Sequence, residues 1–170
     1  MEFLELAKQR YSCRNLTDRT VEPEKVEKIL EAAIVAPTAC NKQPFKIWVI
    51  DKDEDIEKIK LATRFMFGAK LFFVVGAKKE DGWVRKYDGR EFASVDASIV
   101  ATHMMMEVEQ LGLGTTWVGH FNNSEMEKQF PVMSGYDLIA IFPVGYPEDG
   151  AKPVDMHYQR KDMNQLVERI

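Results

Sequence analysis

The sequence lacks most of the features that mark secreted, membrane and disulfide-stabilised proteins. Only two of its 170 residues are cysteines, Cys13 and Cys40, so a disulfide framework is not expected and free thiols are the simpler state. No uninterrupted apolar run approaches the roughly 18 residues that a membrane-spanning helix needs. The first residues also lack a basic stretch followed by an apolar one, as a signal peptide would have. We therefore expect a cytoplasmic protein with no membrane partner.

Charge and motif content exclude further classes of function. Lys and Arg number 23 against 27 Asp and Glu, and the net charge of −4 predicts no global attraction to nucleic acid or anionic membranes. An anion site would have to be a local arrangement. His103, His120 and His157 have no metal-ligand spacing with one another or with the cysteines, so no metal is expected. The chain contains neither a P-loop nor a G-x-S-x-G elbow.

Hydrophobic periodicity predicts a single α+β domain over residues 1–170. The length suits one domain, and 45% hydrophobic residues suit an ordinary globular core. Apolar residues at helical spacing predict helices over 2–10, 24–36, 53–65, 91–111 and 123–130, with Asp53 as an N-cap. Short apolar or β-branched runs predict strands over 45–51, 71–76, 115–119 and 137–144. The segment 152–161 is expected to be an extended polar tail, and 162–170 a last helix or an arm.

Two of these elements are apolar on more than one side. Residues 71–76 form a wholly apolar run, which is typical of a strand covered on both faces. The predicted helix 91–111 carries apolar residues nearly all round, and such a helix is buried against more than one neighbour. One neighbour could be the sheet and the other a second subunit. Between them, residues 77–90 predict an irregular or partly helical cover.

A cationic cluster follows the first predicted helix. Arg10 and Arg14 flank Ser12, and guanidinium groups together with a hydroxyl suit a phosphate group. The alternative is that cations near a helix C-terminus complement the helix dipole. The tail residues His157, Arg160 and Lys161 could add cationic partners, or could be solvated surface charges.

Two loops carry groups that can contact a ligand. The segment 37–44 presents Asn41 and Gln43, whose amides can pair with the donor and acceptor edge of a heteroaromatic ring, although a solvated turn has the same composition. The segment 112–120 contains repeated glycines, which allow a backbone to approach a ligand closely. Helix capping explains Gly112 equally well, whereas Gly119 lies in a predicted strand, where glycine is unfavourable.

The order of these motifs resembles the nitroreductase family of flavoproteins over nearly the whole chain. The motifs that carry the resemblance are Arg10-Tyr11-Ser12-x-Arg14, Ala36-Pro37-Thr38, Asn41-x-Gln43-Pro44, Asp96 on the long helix, Leu111-Gly112-Leu113-Gly114-Thr115-x-Trp117, Gly145-Tyr146-Pro147 and the basic tail at Arg160. Thr38 stands where the family usually has serine, and Ala69-Lys70 replaces a common Ala-Pro. The chain is also short for the family.

The resemblance implies a mainly antiparallel central sheet wrapped by helices, and an interlocked homodimer with FMN at the subunit interface. It places Arg10, Ser12, Arg14 and Arg160 at the phosphate, Asn41 and Gln43 at the isoalloxazine edge, and the backbone of 117–119 along the ring. The whole cofactor-binding set is Arg10, Tyr11, Ser12, Arg14, Pro37, Thr38, Asn41, Gln43, Thr116, Trp117, Val118, Gly119 and Arg160. Lys42 is a candidate cation near the pyrimidine edge. Trp83 and Tyr87 either line the substrate pocket or serve ordinary packing.

The function that the resemblance implies is that of an NAD(P)H-dependent oxidoreductase. FMN would take hydride from NAD(P)H and reduce a small-molecule acceptor, such as a nitroaromatic or a quinone, by a ping-pong mechanism. The flavin carries the chemistry, so no catalytic side chain is named. One alternative is an FMN storage, delivery or sensor protein with little turnover. Another is a specialised relative that performs reductive dehalogenation or flavin fragmentation.

Overall fold

The computed structural model describes residues 2–170 and confirms the α+β class. Six helices and four strands alternate irregularly along these residues. In chain order they are α1 (Phe3–Gln9), α2 (Pro23–Ile34), β1 (Phe45–Ile50), α3 (Asp53–Ala62), β2 (Leu71–Ala77), α4 (Ala93–Gln110), β3 (Gly114–Thr115), α5 (Asn123–Gln129), β4 (Asp137–Gly145) and α6 (Met163–Leu166). None of the helices within residues 2–170 has the length and apolar character needed to span a bilayer.

The four strands form one antiparallel sheet in the order β1-β2-β4-β3. Every residue of the central strand β2 is buried, as its apolar run predicts. Successive side chains of a strand point to opposite faces, so Phe73 and Val75 pack into one core and Phe72 and Val74 into another. The sheet therefore separates two hydrophobic layers.

Helices cover both faces of the sheet. Helices α2 and α4 pack on one face, where Ile29 and Ala33 join Val100 and Met104 in a shared core. Helices α3 and α5 pack on the other face through Ile59 and Met126. The prediction that α4 is buried on more than one side is confirmed within one subunit, because α4 contacts α1, α2 and all four strands.

The end and the N-cap of helix α3 differ from their predicted positions because of tertiary contacts. Helix α3 ends at Ala62 and not at residue 65, because Thr63 is extended and its hydroxyl donates to the carbonyl of His120 at 2.9 Å. Lys52 is the N-cap residue of α3, so the prediction that Asp53 is the cap was wrong. The Asp53 carboxylate instead accepts a hydrogen bond from Lys70 at 2.7 Å, which lowers the pKa of Asp53.

The predicted strand 115–119 and the C-terminal helix are also shorter in the structure. Strand β3 has two residues, after which only Val118 pairs with Ile141 of β4. The tail contains a short 3-10 turn over Asp155–Tyr158, and α6 has four residues. The chain therefore leaves the sheet at Thr116, and this departure shapes the candidate site described below.

A hydrogen-bonded cluster ties the turn after β4 to the start of α2. The Tyr146 hydroxyl donates to the Glu22 carboxylate, and Lys25 donates both to that hydroxyl at 2.9 Å and to the carbonyl of Leu111 at 3.0 Å. The guanidinium of Arg19 lies 3.9 Å above the Tyr146 ring. The hydrogen bond from Tyr146 lowers the pKa of Glu22 from 4.5 to about 2.

This cluster predicts a loss of stability in acid. Because the pKa of Glu22 is lower in the folded chain than in the unfolded one, its contribution is complete above pH 4.5 and is lost as the pH falls from 4.5 to about 2. We expect Glu22→Gln to show a flatter dependence of unfolding free energy on pH over that interval. Urea unfolding of both proteins at pH 7, 4.5 and 3 measures this dependence of the unfolding free energy on pH. Parallel curves for the two proteins would contradict the assignment.

Candidate functional site

The segment after α1 is held against the end of the sheet by backbone hydrogen bonds. The N–H of Cys13 donates to the carbonyl of Thr115 at 2.9 Å, and that of Leu16 donates to the carbonyl of Phe67 at 3.0 Å. Cys13 and Leu16 are buried, whereas the side chain of Arg14 is exposed. Because alternate residues of an extended segment face opposite sides, Ser12 and Arg14 point away from the core.

Gly114 makes this close approach possible. A Cβ atom at Gly114 would lie 2.9 Å from both the Cβ and the Sγ of Cys13, a separation that real Cβ atoms do not tolerate. The glycine of β3 thus has a structural reason that is independent of any ligand. The next glycine of this region, Gly119, has no such neighbour.

A basic cavity of about 230 Å³ lies between this segment and the C-terminal tail. Its lining includes three arginines and the hydroxyl-bearing residues Tyr11 and Ser12, and the edge of the His157 ring meets the ring of Tyr11 with centroids 6.5 Å apart. The lining residues are Arg10, Tyr11, Ser12, Arg14, Pro153, Val154, Met156, His157 and Arg160. The structure thus brings together the two cationic groups of residues that the sequence places about 150 positions apart.

One carboxylate, that of Glu109, interacts electrostatically with Arg10 of this cavity. Within residues 2–170, no carboxylate forms an ion pair with Arg10, Arg14 or Arg160. Arg14 donates to the carbonyl of Ser12 at 3.3 Å, and Arg160 donates to the carbonyl of Gln159 at 2.8 Å. Three guanidinium groups that form no salt bridge, in a chain of net charge −4, give this cavity a local excess of positive charge that can attract an anion.

A second cavity, which we call the aromatic cavity, adjoins the basic cavity at Arg14. It measures about 240 Å³ and is lined by Arg14, Phe65, Phe67, Thr116, Trp117, Val118, Gly119 and His120. Phe65 stacks on Phe67 with ring centroids 5.9 Å apart, and the His120 ring meets Phe65 edge-on at 5.7 Å. An apolar space beside an anion site suits a molecule with a planar ring and a charged tail.

The backbone of Gly119 is open toward the aromatic cavity. Val118 is fixed by two hydrogen bonds of 3.0 Å with Ile141, and no hydrogen bond within residues 2–170 uses the next N–H, that of Gly119. A Cβ atom at Gly119 would meet only the Trp117 side chain, at 3.8 and 3.9 Å. A ligand can therefore lie directly against this backbone and accept a hydrogen bond from it.

The amide loop, residues 37–44, does not line either cavity. Cys40, Asn41 and Gln43 all have left-handed backbone conformations, with φ of 51° to 52°. Such clusters of non-glycine residues at positive φ are uncommon and concentrate at functional sites. Pro37, Asn41 and Gln43 are exposed, and Thr38 is half-buried.

Contacts from other elements hold the amide loop in place. Asp96, buried at the start of α4, accepts a hydrogen bond from the Ala39 N–H at 3.0 Å through Oδ1, while its Oδ2 has no partner. The Thr38 hydroxyl accepts from the N–H of Gln43 at 3.1 Å. Lys42 donates to the carbonyl of Gly82 at 3.1 Å, so the predicted cation is tied to the cover segment 77–90.

Neither Trp83 nor Tyr87 lines the basic or the aromatic cavity. Trp83 packs edge-on against Phe92 with ring centroids 5.2 Å apart, and Tyr87 is 99% exposed. Their place in a substrate pocket stays a prediction. Nothing in the sequence marks Phe65 and Phe67 as site residues, because the helical pattern includes Phe65 and the aromatic wall forms only where the chain leaves α3. Residues 2–170 contain no cluster of His, Cys, Asp and Glu side chains that could hold a metal ion.

Comparisons with known proteins agree with this architecture. The family model described as "Nitroreductase family" matches residues 7–64 and 60–146. A protein of Archaeoglobus fulgidus assigned as an NADH dehydrogenase/NAD(P)H nitroreductase is 32% identical over 157 residues, which are 87% of each chain.

Two solved structures from Clostridium difficile are also similar to the chain. A nitroreductase family protein is 38% identical with a TM-score of 0.91, covering 99% of this chain and 98% of that one. An FMN-dependent nitroreductase is 25% identical with a TM-score of 0.74, covering 94% of this chain and 98% of that one. The chain therefore belongs to the nitroreductase family and is an oxidoreductase.

Proposed function

We propose that the basic and aromatic cavities together form one FMN site, and that the protein oxidises NAD(P)H to reduce a small oxidant such as a nitroaromatic or a quinone. The observation that carries this proposal is the junction of the two cavities at Arg14. One side of that junction holds three arginines that form no salt bridge, and the other holds aromatic walls and the open backbone of Gly119. The FMN-dependent relative supports the choice of cofactor.

The basic cavity matches the phosphate group of FMN. A phosphate monoester carries about 1.5 to 2 negative charges near neutral pH and several acceptor oxygens. Arg10, Arg14 and Arg160 supply guanidinium donors in a planar geometry that suits these oxygens, and the Ser12 hydroxyl adds another donor. Each hydrogen bond to a charged group contributes about 1.5 to 3 kcal/mol, so several of them hold the cofactor firmly.

The aromatic cavity matches the isoalloxazine ring. The backbone of 117–119 would lie along the ring, and the free N–H of Gly119 would donate to a ring acceptor. When bound, FMN accepts a hydride from NAD(P)H and passes two electrons to the oxidant, so the protein supplies orientation and electrostatics. NAD(P)H and the oxidant would use the same exposed face of the ring in turn, which gives a ping-pong mechanism.

A second copy of the chain would complete the site. The amide loop with Thr38, Asn41 and Gln43 lines neither cavity of its own subunit, so these groups reach the ring only from a partner. An apolar groove of about 420 Å³ between α1, α2 and α4 offers a surface for that partner, and Phe3 and Val35 are each 71% exposed there. Large exposed apolar groups of this kind mark protein interfaces.

A charge placed in this groove should separate the two subunits. We expect Val35→Glu to elute as a monomer in size-exclusion chromatography with light scattering, and to bind FMN at least tenfold more weakly, because burying an unpaired carboxylate costs several kcal/mol. The matched control is Val132→Glu, since Val132 is 67% exposed and lies after α5, outside the groove. A dimeric Val35→Glu protein with unchanged FMN affinity would place the interface elsewhere.

Two measurements test the function directly. The purified protein, reconstituted with FMN if needed, should be yellow, and NAD(P)H should bleach it in the absence of air. Oxidation by a quinone or a nitroaromatic should then restore the colour. A protein that cannot retain FMN would exclude the proposal. A yellow protein that NAD(P)H does not bleach would support the alternative of a storage, delivery or sensor protein.

A further inference from the structure

His120 is the residue of the aromatic cavity that cofactor binding leaves without a role. Its ring lies edge-on to Phe65 with centroids 5.7 Å apart. The Thr63 hydroxyl donates a hydrogen bond to the carbonyl of His120 at 2.9 Å, and the N–H of Asn122 donates to the carbonyl of Ala62 at 2.9 Å. Neither ring nitrogen takes part in a hydrogen bond within residues 2–170. The imidazole is thus held at the cavity while both of its nitrogens stay available.

The charged groups around His120 are all cations. Arg14 shares the aromatic cavity with it, and Lys60 and Arg64 share the adjoining cleft on its other side. The guanidinium of Arg64 lies 5.1 Å from the ring centroid of Phe65. No carboxylate lines either space, so no acidic side chain holds a proton on the imidazole, and the neighbouring cations favour release of that proton to a bound oxidant. His120 is also exposed, which gives it access to protons from solvent.

The proposed reaction needs a proton that NAD(P)H does not supply. Reduction of a quinone to a hydroquinone takes two electrons and two protons, and a hydride carries both electrons but only one proton. Of the residues that line the aromatic cavity, histidine is the only type that gains and loses a proton between about pH 5 and pH 8. The guanidinium of Arg14 keeps its proton throughout that range.

We infer that His120 is a catalytic proton donor for the oxidant, an inference that rests on the proposed FMN function. His120 would take one proton from solvent and give it to the oxidant. NAD(P)H would supply the two electrons and the other proton, as a hydride delivered by way of the bound cofactor. The oxidant would thus gain two electrons and two protons, and His120 would return to its starting state, so electrons and protons balance over one cycle.

Proton uptake on reduction tests this inference without turnover. The midpoint potential of the FMN-loaded protein, measured against pH, gives the number of protons bound per two electrons. We expect the wild type to bind up to one proton more per two electrons than His120→Gln over part of the measured pH range, because the negative charge of the reduced flavin would favour a proton on the nearby imidazole and glutamine offers no such site. Protonation of the flavin itself is common to both proteins and cancels in the comparison. Identical curves would overturn the inference.

Choice of oxidant supplies a second test. Ferricyanide accepts an electron without a proton, whereas a quinone needs protons. We expect the ratio of the quinone rate to the ferricyanide rate in reoxidation to be about 100-fold or more lower in His120→Gln than in the wild type. Equal effects on both oxidants, or none on either, would contradict a proton-donating role. A wild-type protein that NAD(P)H fails to bleach would instead defeat the proposed function.

Chemical rescue separates proton donation from packing. Added imidazole should restore quinone reduction in His120→Ala in proportion to its protonated fraction, and should not affect the ferricyanide rate. If His120→Gln binds FMN poorly, His120→Asn replaces it in both tests. His103 and His157 cannot serve as control positions, because they lie in the apolar groove and in the basic cavity. Absence of rescue in a folded, FMN-loaded His120→Ala protein would count against the inference.

Discussion

Replacing Arg10 and Arg14 together by alanine should strip the flavin from the protein. Each guanidinium is expected to make a charge-assisted hydrogen bond to the phosphate worth about 1.5 to 3 kcal/mol. Loss of both should therefore weaken FMN binding by about 100- to 10,000-fold. Titration of flavin fluorescence against protein measures the dissociation constant. Each single variant should lie between the wild type and the double variant.

The matched control for these variants is Arg19→Ala. Arg19 is also an exposed arginine, but its salt bridge is with Glu22 at 2.8 Å and it lines neither the basic nor the aromatic cavity. Because an exposed ion pair contributes little, Arg19→Ala should fold normally and bind FMN as the wild type does. Tight FMN binding in the double variant would place the phosphate elsewhere.

A valine at Gly119 should block the cofactor without unfolding the chain. The position is not left-handed, and a Cβ there would meet only Trp117 at ordinary contact distances, so the unfolding free energy should change by less than about 0.5 kcal/mol. The added side chain would occupy the space of the isoalloxazine ring. Overpacking of about 1 to 3 kcal/mol corresponds to FMN binding that is about 5- to 150-fold weaker.

The opposite result is expected for Gly112→Val. Gly112 ends α4 with φ of 71°, a conformation that a β-branched residue adopts only with strain of about 1 to 2 kcal/mol, and it lines neither cavity. That variant should be less stable but should bind FMN unchanged. Urea unfolding and flavin titration of both variants make the comparison. Unchanged FMN affinity in Gly119→Val would show that the isoalloxazine ring does not lie against the backbone at this position.

The elements that follow from local sequence were predictable. The wholly apolar run of β2 indicated a strand covered on both faces, and the structure buries every residue of it. The apolar circumference of α4 indicated several neighbours, and Gly112 indicated where the helix ends. These features depend on hydrophobic periodicity and backbone preference, both of which are visible in a short window of residues.

The features that depend on distant contacts were not predictable. Helix α3 ends early because Thr63 bonds to His120, a residue 57 positions further along the chain. Asp53 pairs with Lys70 and not with the helix N-terminus. For the cationic cluster, composition alone slightly favoured a helix-dipole role over a phosphate role. The tail that closes the basic cavity favours the second, since Arg160 adds a third cation that a dipole would not require.

The candidate site shows the same division. The arginines, the amides and the glycines could be selected by residue type. Guanidinium groups suit a phosphate, amides suit the edge of a heteroaromatic ring, and glycines allow a backbone to approach a ligand closely. The aromatic wall of Phe65 and Phe67 and the position of His120 arise only when the ends of α3 and β3 meet. Trp83 could not be assigned from the sequence, which left a pocket and ordinary packing open; the structure gives it a packing partner, Phe92, and its place in a substrate pocket stays a prediction.

A crystal structure of the FMN-loaded protein tests the central claim most directly. The account predicts the phosphate among Arg10, Ser12, Arg14 and Arg160, the ring against the backbone of 117–119, and Asn41 of a partner subunit at the edge of the ring. A flavin bound within a single subunit, or a phosphate outside the basic cavity, would contradict it.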